Sequence, residues 1–340
     1  MTDSGDNPGE GDLFGGNLPS LPASRLSLVK RRLIHAAAII QDSPAEDVSY
    51  QHSVLCQTAL PVRRPPPSVR TWDRRQGRAA LSIEAGRAND PARNCWVNMP
   101  LPFGPKARLV MMHLNSEAIR SRSPEIEVDR SMTAFIRRLM PQRNDPNGRE
   151  IRAFKEQLAA LASATVRLSF TQGERSRQVN TQIVGSFDLW FPKDERQHVM
   201  WPSTVQLSQE YFDSLLSHAV PLDERAISSL SHSAVALDVY AWLAQRLHRI
   251  PVNAPQLVSW PALHEQFGKG NDQPNGQKQK VMQGFTRLRD FRSFFLNVLT
   301  QVGSAYPDAQ FSTDERGLTL TSSRPPVSKR LHTLPSHHAN

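Results

Sequence analysis

The stretch QKQKVMQGFTRLRDFRSFFLNVLTQV, residues 277–302, carries apolar residues at helical spacing. At 100° per residue, Val281, Phe285, Leu288, Phe295 and Leu299 gather on one side. Gln279, Gln283, Thr286, Arg287 and Asp290 gather on the other, with Lys280 at the border. The first set reads as a core stripe. The second holds side chains that reach base edges, since Arg matches guanine and Gln matches adenine. Lys278 and Lys280 fall in the first turns, where a recognition helix enters the groove. A merely solvated face would carry more glutamate and more i,i+4 ion pairs.

The flanking elements give this helix a context. Upstream, Ala236, Val239, Tyr240, Leu243, Leu247 and Ile250 share helical spacing, and Arg246, His248 and Arg249 occupy the last turn, where cations suit the dipole. LVSW (257–260) reads as a short strand, and PALHEQFG (261–268) as a short helix running from Pro to Gly. GKGNDQPNG is a turn. Downstream, Phe311, a turn at DERG (314–317), and Leu318 with Leu320 form a closing hairpin. Helix, short strand, helix, turn, helix, hairpin is the order of a winged helix. Arg316 sits at the hairpin tip, as a phosphate contact or as ordinary turn polarity.

The same order recurs from residue 97, without a fixed-period sequence repeat. Pro105 opens a helix carrying Ala107, Val110, Met111, Leu114 and Ala118, and Ser123-Pro124 closes it. Ile126 and Val128 form a short strand. Asp129 or Ser131 caps a second helix with Met132, Phe135, Ile136, Leu139 and Met140 inward. A third helix starts at Arg149, with Ile151, Phe154, Leu158 and Leu161 inward. Arg149, Arg152 and Glu156 face outward, Lys155 lies on the flank, and the rest of the outer face is alanine. That face suits DNA or another protein. Val166, Leu168 and Phe170 alternate into a turn at Gly173, and the return run reaches Phe191. This places Arg175 and Arg177 at the tip of a first wing. The expected fold class is α+β, mostly helical: two tandem winged-helix domains with small β-hairpin wings, at 97–208 and 209–323.

Residues 1–24, rich in Gly, Pro, Ser and Asp, read as disordered, and 324–340 as a polar tail. Between 25 and 96 the chain reads as a basic, Pro-rich N-terminal extension. It opens with a helix bearing Leu26, Val29, Leu33, Ala37 and Ile40 on one stripe, beside Lys30, Arg31 and Arg32. PVRRPPPSVRTWDRRQGR (61–78) cannot be helical through its prolines and suggests a linker or a surface-hugging arm. ALSIEAG (80–86) alternates like a strand.

Composition points to a polyanionic partner. The 340 residues hold 41 Lys and Arg against 32 Asp and Glu, a net charge of +9. A membrane partner has little support, because no apolar run reaches the roughly 18 residues of a spanning helix. The start, MTDSGDNPGEGDLFGG, lacks the basic and apolar segments of a signal peptide. Cys56 and Cys95 have no Cys or His at metal-ligand spacing. The expectation is a cytoplasmic protein without disulfide, structural metal or cofactor. Catalytic signatures are weak: GKG (268–270) lacks the phosphate-loop pattern, His337-His338 are adjacent in the tail, and Tyr240 reads as core. A non-enzymatic chain is expected.

CQTALPVRRPP (56–66), Trp72, LSIEAG (81–86) and LPFGPKARLVMMHLNSEAIRSRSPEIEVDRSMTAFIRRL (101–139) together resemble the plasmid-encoded RepA replication initiators. The resemblance extends to about residue 320. It implies tandem winged helices that bind repeated sequences, the iterons, in double-stranded DNA at a plasmid origin. It further implies duplex opening and recruitment of the host helicase and polymerase machinery. The first winged helix would dimerise, the dimer would repress its own promoter, and monomers in equilibrium with it would bind the iterons. The DNA-contact role passes to the 277–302 helix. A transcriptional repressor of the same fold without origin activity is the main competitor. A nickase or primase would need a metal and a catalytic residue.

Overall fold

A computed structural model describes residues 28–90, 94–127, 134, 136–137, 148–172, 175–187, 204–268 and 287–328. It is a mixed helix–sheet fold, about half helical, with small antiparallel sheets. Sheet content therefore exceeds the mostly helical expectation. The stretch 1–24 lies outside the described residues.

Two helices form the centre. α3 (Gly104–Ser121) buries Ala107, Val110, Met111, Leu114 and Ala118 as its spacing predicts, and also Leu109, Met112 and Ile119. It is therefore covered nearly all round, like a core helix. Arg122, in the left-handed region at φ 52°, ends it before Pro124. α7 (Ala234–Arg246) is the second central helix, capped by the Ser233 hydroxyl and buried from Ala234 to Leu237 and from Val239 to Gln245. The two helices touch, and Arg108 of α3 grips Asp238 of α7 through two hydrogen bonds of 2.6 Å. One contiguous apolar core runs from Leu33 to Leu320, across the 208/209 boundary expected from the sequence.

The segment 25–96 is built into this core. α1 (Leu28–Asp42) buries Leu33 and lies against α6 (Glu224–Leu230) and α9 (Leu288–Ala305). Arg225 pins it by donating to the carbonyls of Ile39 and Ser43. β1 (Val48–His52) pairs with β11 (Ala219–Asp223), and α2 (Ser53–Gln57) follows it. β2 (Thr71–Gln76) and β3 (Ala79–Glu84) join β7 (Thr165–Gln172) and β8 (Arg175–Gln182) in a four-stranded sheet of order β2-β3-β7-β8. Two arginines of the Pro-rich stretch are tethered to backbone carbonyls. Arg70 donates to the carbonyls of Met99, Ala85 and Gly86, and Arg74, 5% exposed, donates to those of Glu265 and Gln266. β4 (Arg87–Asp90) and β5 (Cys95–Asn98) make a separate hairpin.

Two three-stranded sheets complete the fold, and they share one order. β6 (Glu125–Glu127), β9 (Val184–Phe187) and β10 (Thr204–Leu207) are arranged β6-β10-β9. β12 (Gln256–Ser259), β13 (Phe311–Thr313) and β14 (Gly317–Leu320) are arranged β12-β14-β13. In each, the first strand follows a central helix and the last two close against it. Helix α4 (Gly148–Ser163) precedes the first pair and α9 precedes the second. α5 (Gln209–His218) links the halves, and α8 (Trp260–Leu263) runs on into a π turn over His264–Gly268. Gly317 needs its missing side chain, because a Cβ there would collide with the Val258 carbonyl of the paired strand.

Three further differences from the sequence reading have local causes. β8 stops at Gln182, so the Arg175–Arg177 hairpin belongs to the four-stranded sheet, and the hairpin ending the first three-stranded sheet is β9–β10. α4 carries fewer outward alanines than expected: Ala160 and Ala162 are 0% and 2% exposed where the helix packs on α3 and β9, while Ala153 and Ala159 are half-buried. The stretch assigned to the polar tail begins inside the fold, with Val327 buried beside Ala45 and Val48 and the Tyr306 hydroxyl donating to the Arg324 carbonyl.

Candidate nucleic-acid interface

The helix read over 277–302 begins at Leu288 among the described residues, with Phe295 and Leu299 buried and Asp290 exposed as expected. The buried stripe is Phe291, Phe295, Val298, Leu299, Val302 and Ala305. Leu288, expected inside, is 41% exposed. Arg287 lies before the first turn in extended backbone, φ −115° and ψ 129°, rather than on a helical face. Lys278, Gln279, Lys280, Gln283 and Thr286 lie outside the described residues, so no geometry tests their expected role.

The described part of the helix exposes a further polar stripe. Arg289, Ser293, Asn297 and Thr300 are exposed at i, i+4, i+8 and i+11, one line along α9. Their side chains suit base edges and phosphate. Asn297 accepts from Gln301 through its Oδ1 at 3.1 Å, which leaves its amide donors outward. The sequence held this signal, because a wheel centred on Phe295 puts these four residues on the opposite side.

The β13–β14 turn abuts the start of α9. The Trp260 indole N–H donates to the Asp314 carbonyl at 2.9 Å, and its backbone N–H to the Arg316 carbonyl at 3.1 Å. Arg292 lies 5.1 Å over the Trp260 ring and donates to the same Asp314 carbonyl at 3.4 Å. Arg316 is exposed and pairs with the Asp314 carboxylate at 2.9 Å, so it is an organised turn residue rather than a loose cation. The Gly317 backbone N–H and then the Arg316 side chain hold the Asp314 carboxyl below its usual range. Arg292 and Arg316 thus both meet Asp314, and Arg287 and Arg289 lie at the N-terminal end of α9, Arg289 beside Asp290.

The other sequence candidates lie elsewhere. Arg149 and Arg152 are exposed on α4, Lys155 is half-buried beside them, and Glu156 pairs with Arg64. Arg175 stands opposite Gln172, next to the hairpin turn, and Arg177 opposite Phe170. The structure does not bring these positions together with the α9 stripe.

Chemistry of other kinds has little footing among the described residues. His52 and Ser214 are 3.1 Å apart and buried. The His52 Nδ1 accepts the Val54 backbone N–H, so its Nε2 carries the proton and donates to Ser214. That is the reverse of what activates a serine nucleophile. Burial, with His218 alongside, pushes the imidazole down to about 3. No group of three or more His, Cys, Asp or Glu is placed to hold a metal, and no helix is long and apolar enough to cross a membrane, among the described residues.

Fold and site define a mixed helix–sheet chain that presents a polar, arginine-headed helix beside a hairpin turn. Its central part, residues 101–261, matches the family model described as plasmid encoded RepA protein. The match runs from just before α3 into α8 and stops short of α9. No curated protein matches the chain. Among solved structures, the chain is similar to a crystal structure of domains 2 and 3 of RctB, at 9% identity and a TM-score of 0.45, covering 81% of this chain and 97% of that one. A second structure of the same RctB domains gives a TM-score of 0.37 at 9% identity, covering 83% and 94%.

Proposed function

We propose that this protein is a plasmid replication initiator that reads double-stranded origin DNA with α9 and remodels the duplex without catalysing a reaction itself. The observation that carries the reading is the exposed Arg289–Ser293–Asn297–Thr300 stripe beside the Arg316 turn. The order α7, β12, α8, α9, β13, β14 with sheet β12-β14-β13 is that expected of a winged helix, with α9 in the major groove and the turn as wing. The first half is read as a second winged helix, with α4 as its third helix and β9–β10 as its wing. The RepA family supplies the plasmid setting. A net charge of +9 favours a polyanionic partner, of which nucleic acid is the commonest.

In this scheme monomers bind iterons at the origin and host helicase machinery joins them there. A dimer represses the protein's own promoter. Footprinting on the DNA flanking the gene tests it. Several protected direct repeats beside an AT-rich stretch are expected. One protected inverted repeat over the promoter alone would make the protein a repressor, and no specific protection would end the DNA-reading role of α9.

A further inference from the structure

A cleft of about 280 Å³ opens on a different face, between α2, the β2–β3 turn, the end of α7 and the start of β12. Its size falls just under the roughly 300–1,000 Å³ of small-ligand pockets. Its lining is unusual in chemistry. The carboxamides of Gln57, Gln76, Gln245 and Gln256 border it, with the guanidinium groups of Arg246 and Arg249 and no carboxylate. Carboxamides offer a donor and an acceptor side by side, the pairing that base edges require.

Among the described residues the cations there have no carboxylate partner. Arg246 is half-buried, 5.4 Å over the Trp242 ring, and its hydrogen bond goes to the neutral Gln256 Oε1 at 3.0 Å. Burial lowers its pKa with no carboxylate to offset the cost. Arg249, beside it and exposed, lies against the His248 ring at 3.4 Å. An anion in the cleft would complete both cations. A flat ring could stack on the guanidinium plane of Arg246, which the indole backs.

We infer that this cleft binds a nucleotide, with its phosphate on Arg246 and Arg249 and its base against the glutamine carboxamides. The ligand is either a free mononucleotide or one nucleotide of an unpaired strand. Because the cleft joins the four-stranded sheet to the second half, occupancy would stiffen the joint between them.

Calorimetry on the full chain with dAMP, a 5′-phosphorylated pentanucleotide and inorganic phosphate tests this. Saturable binding of dAMP or of the pentanucleotide is expected, weakened about tenfold or more by Arg249→Gln and by Arg246→Gln. Arg249→Gln is an exposed change and should leave the thermal midpoint unaltered. Binding of dAMP points to a free nucleotide, and binding of the pentanucleotide alone points to a strand. Arg289→Ala, on the DNA-reading helix, should change neither. The inference is overturned if neither probe binds, if phosphate alone binds as tightly, or if Arg289→Ala rather than Arg249→Gln abolishes binding. None of these outcomes depends on the origin-binding reading of α9.

Discussion

Single residues in this fold are held by partners that are distant in sequence, and that is why many were misread from sequence. Arg70 and Arg74 sit in a stretch that looks like a basic arm, yet each spends its donors on backbone carbonyls. Their partners, such as Gln266, lie up to 192 residues away, so no local pattern announces them. His52 is a similar case with a measurable consequence. Its folded pKa, lowered to about 3, lies below the ordinary 6.5, so the unfolded chain takes up the proton first. The stability it contributes is fully present above pH 6.5 and is lost as pH falls toward 3. Urea unfolding at pH 5.5 should show about 1.4 kcal/mol less stability from this group than at pH 8. His52→Gln should flatten that difference; an unchanged pH dependence would mean His52 is not buried neutral.

At the scale of elements, most helices and strands were legible, and so were the buried stripes of α3 and α7. α3, α7, β12 and the β13–β14 hairpin lie within a few residues of where periodicity and turn residues put them. α9 was legible as a helix, but its start was not, because Arg287 at the N-cap is not a residue type that marks a helix start. Arg287 occupies the N-cap with no capping hydrogen bond, and it brings positive charge to the positive end of the dipole. This is a poor choice for the helix and a good one for an anion. Arg287→Ser should therefore raise stability by about 0.5–1 kcal/mol in thermal melts. The same change should weaken DNA binding. A variant that gains stability and keeps full affinity would show that Arg287 serves no DNA contact.

At the scale of the whole molecule, the sequence suggested two separable units and the structure has one continuous core. The reason is non-local pairing: β1 belongs with β11, and β2–β3 with β7, from segments more than 80 residues apart. Periodicity reports that a strand exists and says nothing of its partner. The Arg108–Asp238 pair clamps the halves, with Arg108 1% exposed and also donating to the carbonyls of Leu60, Pro61 and Gly104. Removing one member leaves the other charge buried and unpaired. Asp238→Ala should thus cost about 3–5 kcal/mol, read by urea unfolding, and a cost below 1 kcal/mol would deny the clamp. A fragment of residues 97–208 alone would expose the β7 edge that β3 covers. It should aggregate or fail to give a cooperative melt, whereas a well-folded fragment would restore the two-unit view.

The central claim is that the outer stripe of α9 reads DNA. Its most direct test is the affinity of Arg289→Ala and Asn297→Ala for an origin repeat and for a scrambled duplex, at two salt concentrations. Both residues are exposed, so folding should be intact. Each change should cost about 1–3 kcal/mol on the repeat, and Arg289→Ala should reduce the salt dependence if it also meets phosphate. Asn297→Ala should bind the scrambled duplex as the parent does. Unchanged affinity of both variants for the repeat would remove α9 from the interface and contradict the account.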